Sequence, residues 1–185
     1  MTSSDGITWT ARTAAAANTW YGVCWSPELQ LFCAVSHTGT SRIMTSSNGI
    51  TWTGRTAPEA NDWKSVVWSP QLSLFCAVAK SGTNRVMFSH DGINWKARAA
   101  SATNQWYSIC WSPELSVFCA VSNDGSARVM TSKYGVPTKY NSLLTAPSKI
   151  YIDPSSVNVG IGTTSPSYRL DVIDNARIGL ASGNA

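Results

Sequence analysis

The chain has 185 residues, of which 43% are hydrophobic and 13% charged, and its formal net charge is +4. That balance excludes a disordered polyelectrolyte, and without a run of about 18 apolar residues it excludes a spanning helix and hence membrane insertion. The mild positive charge is spread along the chain, which argues against nucleic-acid binding, and the first residues lack the basic-then-apolar pattern of a secretory signal.

The opening stretch MTSSDGITWT returns as MTSSNGITWT from Met44 and as MFSHDGINWK from Met87. Trp9, Trp52 and Trp95 stand 43 residues apart, and so do Trp20, Trp63 and Trp106, and again Trp25, Trp68 and Trp111. A repeat of this length organises everything else. The units run over 20–62, 63–105 and 106–141, while residues 1–19 match the tail of a unit. The third unit loses the pattern after RVMTSKYG: Thr138 stands where a tryptophan is required, and Pro137 beside it lacks the donor of a paired strand. Residues 1–13 are therefore expected to supply the closing strand that 136–141 fail to make.

Each unit reads as four short strands. In the first full unit these are WYGVCW, LQLFCAV, RIMTSS and ITWTGR, rich in β-branched and aromatic residues and separated by Ser-Pro, Gly-containing and Asn-Gly turns. A two-residue Asp-Gly or Asn-Gly turn of positive φ is expected between the last two. With residues 27–30 as a loop, Trp25 opposes Phe32 and Val23 opposes Ala34 on one face, and Cys24 opposes Cys33 and Gly22 opposes Val35 on the other. Both faces are apolar, so each sheet must be covered twice. The predicted fold class is all-β: a partial, propeller-like array of four-stranded antiparallel blades, followed by a short β-stem segment. A β-prism or β-solenoid is the alternative, and no sustained 3.6-residue period supports helices.

The stretches SSDGITW, SSNGITW and SHDGINW resemble the Asp-box, or BNR-like, repeat of sialidase-like and related β-propellers. The aspartate and glycine stand one residue closer than in the commonest form, and the middle copy carries Asn48. The resemblance implies a structural box formed by Ser4, Asp5, Gly6 and Trp9, by Ser47, Asn48, Gly49 and Trp52, and by Asp91, Gly92 and Trp95, away from any ligand face. It implies a fold and does not imply sialidase activity.

Beyond Asn141 the composition shifts, and residues 142–185 hold no Trp or Cys. Within them NVGIGTTSPSYRLDV resembles a segment of phage and large-virus tail fibres, where a VGIGTTSP motif opens or punctuates a trimeric β-stem. KIYIDP and YRLDVI alternate as half-buried strands do, with a Gly-rich turn at Gly160 to Gly162 between them. The resemblance implies a homo-oligomer, with a trimer favoured, and a location in a virion; three units are fewer than the about four to eight blades of a propeller, so closure calls for a dimer with a six-bladed ring, another closed oligomer or a longer chain.

The chemistry-bearing residues form no catalytic set. Cys24, Cys33, Cys76, Cys110 and Cys119 are odd in number, and Val67 replaces one partner, so they read as buried thiols. His37 and His90 occupy non-equivalent repeat positions, so no metal or cofactor site is expected. Arg42, Arg85 and Arg128, like Arg12, Arg55 and Arg98, recur at fixed repeat positions, as structural bonds do and a converging cluster does not. Variable connecting segments and the series Tyr21, Lys64 and Tyr107 are the candidate ligand surface, able to stack on sugars. The expected function is a non-enzymatic structural or host-attachment module of a viral fibre, binding a surface glycan or host receptor. A glycan-binding lectin is the alternative, and an Asp-box glycosidase a remote one.

Overall fold

A computed structural model describes residues 1–133 and the strand residues 150–152, 159–161 and 170–172. The chain divides into two compact units, Met1–Lys133 and Tyr134–Ala185. The expected boundary near Asn141, and the departure at Pro137 and Thr138, lie outside the described residues.

The first unit is all-β. Its first sheet is the meander β1 (Trp20–Ser26), β2 (Leu31–Ser36), β3 (Ile43–Ser46) and β4 (Thr53–Arg55). The second repeats it as β5 (Trp63–Ser69), β6 (Leu74–Ala79), β7 (Val86–Ser89) and β8 (Lys96–Arg98). The third has β9 (Trp106–Ser112), β10 (Val117–Ser122) and β11 (Val129–Lys133). The register is the expected one: Trp25 opposes Phe32, Cys24 opposes Cys33, Val23 opposes Ala34 and Gly22 opposes Val35. A bulge between Trp20 and Gly22 recurs between Trp63 and Ser65, swinging Tyr21 and Lys64 out of the ladder. The loop before β2 is closed in each unit by a residue of positive φ, namely Gln30, Ser73 and Ser116.

The sheets stack face to face as consecutive blades of an open, propeller-like array. One core holds Cys33, Val35 and Ile43 of the first blade against Val66, Trp68 and Phe75 of the second. The other holds Cys76 and Val78 of the second against Ile109 and Phe118 of the third. Among the described residues only the middle blade is covered on both sides: β6 is buried along its whole length, whereas β1 alternates between half-buried and exposed residues up to the buried Ser26. The outer faces of the first and third blades leave Val23, Val121 and Val129 in water, 62%, 45% and 58% exposed.

Two local expectations are corrected. The last strand of the first two blades begins after the tryptophan, at Thr53 and Lys96, because the turn before it is longer than two residues. Of Asn48 and Gly49 only the glycine has positive φ, +70°, whereas the expected turn type needs both. The opening residues form a hairpin of their own, in which Thr2 and Thr10 exchange backbone bonds of 2.8 Å.

In the second unit β12 (Ile150–Ile152), β13 (Val159–Ile161) and β14 (Leu170–Val172) form one sheet. β13 is its centre, antiparallel to β12 and parallel to β14. Gly160 is thus a strand residue opposite Tyr151 and Asp171, not part of a turn, because ladder bonds on both sides hold the backbone extended.

Phe75 is fully buried, with ring centroids 4.5 Å from Trp68 and 6.2 Å from Trp95. Phe75→Ala should cost about 3–5 kcal/mol, as a large core truncation does. Denaturant unfolding of the variant against the parent chain measures it.

Candidate functional site

The thrice-written box is a side-chain-capped turn. Asp5 Oδ1 accepts the Ile7 and Thr8 amides, each at 2.8 Å. Asn48 Oδ1 accepts those of Ile50 and Thr51 at 2.9 Å, and Asp91 Oδ1 those of Ile93 and Asn94 at 2.8 and 2.7 Å. The tryptophan then folds back, its indole N–H donating to the glycine carbonyl: Trp9 to Gly6, Trp52 to Gly49 and Trp95 to Gly92, at 3.0–3.2 Å. The serine of the box is not Ser4 or Ser47. Ser3, Ser46 and Ser89 donate to the acid or amide and accept the glycine amide at 2.8–2.9 Å. The preceding-but-one position aims Oγ into the turn, and the next residue, which is His90 in the third copy, need not be serine.

These bonds hold the carboxyl groups ionised. Asp5 is held well below the ordinary carboxylate range by the Thr8 and Ile7 amides and by Ser3. At Asp91 desolvation works the other way, and the Asn94 amide and side chain, the Ile93 amide and Ser89 outweigh it.

The recurring arginines meet carbonyls. Arg42 Nη1 donates to His37 and Asn61, Arg85 Nη1 to Lys80 and Asn104, and Arg128 Nε to Gly125. Arg12 and Arg55 donate to Thr2 and Thr45 Oγ1 at 3.0 Å, while Arg98 lies 5.4 Å from the Phe88 ring that replaces the threonine. All five cysteines are free thiols, and burial pushes Cys24 and Cys76 up to about 12 and Cys33 well above its ordinary value. Cys110 is exposed, which the reading of a buried thiol did not foresee. Among the described residues, no group of three His, Cys, Asp or Glu side chains is placed to hold a metal ion, and no helix is long and apolar enough to cross a membrane.

The three candidate ligand residues come together. The bulges place them on adjacent first strands, with Lys64 Nζ 3.5 Å from the Tyr21 ring centroid and 6.0 Å from that of Tyr107. Lys64 is 8% exposed, whereas Tyr21 and Tyr107 are 55% and 38% exposed. The result is a row of two part-exposed tyrosine rings, with the ammonium of the buried Lys64 lying over the Tyr21 face. The variable connectors also meet, at one rim. Asn18, Asn61 and Asn104 tuck beneath Gly39, Gly82 and Gly125 and donate to Ser41, Asn84 and Ala127 carbonyls at 2.5–2.6 Å. A Cβ on these positive-φ glycines would strike the asparagine. Sequence reasoning missed the bond of Trp68 Nε1 to Glu28 Oε2 (2.6 Å) and of Trp111 Nε1 to Gln71 Oε1 (2.7 Å), both across blades. The recurrence of Glu, Gln and Glu at residues 28, 71 and 114 was its signal.

The arrangement defines an open, blade-built all-β module with an aromatic row and a variable rim. No protein-family model matches the chain, and no curated protein matches it. Among solved structures it is similar to a streptogramin B lyase, with a TM-score of 0.45 and 12% identity over 64% of this chain and 41% of that one. It is similar to virginiamycin B lyase from Staphylococcus aureus, with a TM-score of 0.45 and 14% identity over 75% and 47%. It is also similar to the Cps50 (Swd1) β-propeller domain of Myceliophteria thermophila, with a TM-score of 0.41 and 10% identity over 60% and 39%. The chain thus spans less than half the length of these proteins. The blade architecture rests on the strand registers described above.

The capped turns are testable through pH. Asp91 has a depressed folded pKa, so its stabilisation is present above the unfolded value near 4 and is lost as pH falls toward the folded one. Asp91→Asn should keep the turn, as Asn48 does, and remove that part of the acid loss. Asp91→Ala should cost about 1–2 kcal/mol at pH 7. Melting temperatures of the three proteins between pH 7 and pH 2 read both effects.

Proposed function

We propose that this chain is a non-enzymatic attachment module, a rigid repeated head carried on an oligomeric fibre stem of a virus or phage. The observation that carries the reading is the repetition of roles. Arg42, Arg85 and Arg128 through their Nε atoms, the box acids or amide, and the box indoles of the described head make the same kinds of bond in successive repeats, so they serve the scaffold, and variation is concentrated at the rim and in the Tyr21, Lys64 and Tyr107 row. A frame that holds its polar groups this way leaves loops and exposed aromatics for recognition. The stem part follows from the VGIGTTSP resemblance between Val157 and Val172.

Lectin activity is the second reading, favoured by the two tyrosine faces flanking a lysine ammonium. A flat aromatic face suits the apolar side of a pyranose ring, and the rim beside it offers hydrogen-bonding side chains. Glycan-array binding of the full chain tests both readings. Tyr21→Ala and Tyr107→Ala should each weaken a captured glycan about tenfold, the scale of truncating an aromatic anchor. Binding untouched by either variant would move recognition to the rim, and release of free sugar from a sialoside would overturn the non-enzymatic reading.

A further inference from the structure

We infer that a second copy of this chain docks head to tail on the first, the third blade of one closing over the open face of the first blade of the other. The inference stands on the blade interfaces and does not rest on the attachment reading. The joints inside the described unit are made in one way. At each, an indole crosses to a side-chain oxygen, Trp68 to Glu28 and Trp111 to Gln71. At each, an arginine crosses to a carbonyl, Arg42 to Asn61 at 2.8 Å and Arg85 to Asn104 at 2.7 Å. Between the second and third blades the Ile109 amide also donates to Ser65 Oγ at 3.3 Å.

The unmatched halves of those bonds stand at the two ends. Trp25 is the repeat-equivalent of Trp68, yet it is 39% exposed where Trp68 is 6%. Among the described residues its indole N–H has no partner. Glu114, the equivalent of Glu28, meets only Ser112 Oγ, at 3.5 Å, among the described residues. The Arg128 side chain uses its Nε on Gly125 and, among the described residues, makes no other bond, while the equivalent carbonyl, that of Asn18, stands on the first blade. Ser108 and the Val23 amide are the equivalents of Ser65 and the Ile109 amide.

The apolar surfaces correspond in the same way. Val121 is 45% exposed, whereas its equivalent Val78 is fully buried. Facing outward from the first blade is a groove of about 320 Å³, lined by Met1, Arg12, Trp20, Val23, Ala34 and Met44 among others. The groove lies where the inner strands of a preceding blade would pack, and β9 and β10 of a second copy supply them. The hairpin of residues 1–12 already holds the outer lane: Thr2 approaches Gly49 as Thr45 approaches Gly92. Met1–Ser3 and β11 are repeat-equivalents and claim one position. Docking therefore displaces Met1–Ser3 and sets Thr10 opposite Thr131, as Thr53 stands opposite Thr45. Two copies bring their blades to six, inside the range of about four to eight that closes, and a third copy would exceed it.

Light scattering on the full chain should give the mass of two chains, with Cys110 slow to react with a maleimide although it is exposed in one copy. Val121→Arg and Val129→Arg should give single chains with an unchanged circular dichroism spectrum and fast labelling at Cys110. Arg128→Ala, which removes the crossing bond together with the Nε bond to Gly125, should speed labelling as well. Val23→Arg should also give single chains, and mixing it with Val121→Arg should restore a pair, since each variant keeps one intact face. A wild-type chain that is monomeric, or an assembly whose mass and Cys110 labelling ignore Val121→Arg, would overturn the inference. So would disruption by Val23→Arg with Val121→Arg leaving the pair intact, which marks a joint of two like faces.

Discussion

A sheet that is apolar on both sides cannot end in water, and the described unit is organised around that constraint. The middle blade meets it on both faces, with Phe75, Ala77 and Val78 fully buried. Its two neighbours meet it on one face each. Burial at about 25 cal/mol per Å² of apolar surface drives the stack, and because the alternation along a strand has a period of two, the choice of register decides which residues each neighbour receives. The bulges at Tyr21 and Lys64 shift the register at the start of the first strand and set the two side chains against one another.

The turns and the blade joints leave polar groups that need partners, and the repeat supplies them in similar ways. Box acids or amides collect the amides of their own turn, indoles take carbonyl and carboxylate partners, and guanidinium groups collect carbonyls at the rim. Charge-assisted bonds of this kind are stronger than neutral ones and keep the turns in one geometry. For the proposed attachment role, a frame held this way would lower the ordering cost of binding at the rim loops and the tyrosine row.

The strands and their pairing were legible because they follow from local signals. The loop at residues 27–30 sets the partners of Trp25 and Cys24, and the structure keeps that pairing. The turn between the last two strands was not legible from the Asn-Gly pair alone. There the Asn48 side chain takes two amides and lengthens the turn, so Trp52 leaves the strand and covers it. The choice of Ser46 over Ser47 depends on which hydroxyl points into the turn, which residue type does not reveal. Trp68 and Glu28 lie 40 residues apart, and their bond exists only once two blades stack. Gly160 was misjudged because glycine favours turns by itself, whereas pairing on both sides holds it extended. The meeting of Tyr21, Lys64 and Tyr107 was legible as a repeat column, since equivalent residues of stacked units must neighbour one another.

A chain whose two ends carry complementary halves of one interface has a choice that a two-fold like-to-like contact does not face. A head-to-tail contact either closes into a ring or runs on as a filament. Curvature decides between them. The first strands β1, β5 and β9 lie side by side while the blades fan outward, so each added blade turns the array by a fixed angle. An arc built of identical joints returns to its start at a definite number of blades. Closure matches every Trp25 with a Glu114 and leaves no valine face in water, whereas a filament always leaves one of each at its tips. In the ring inferred above, stability would come from the same kinds of contact that hold the blades within one chain, and no surface would have to be devised for assembly that the fold does not already use.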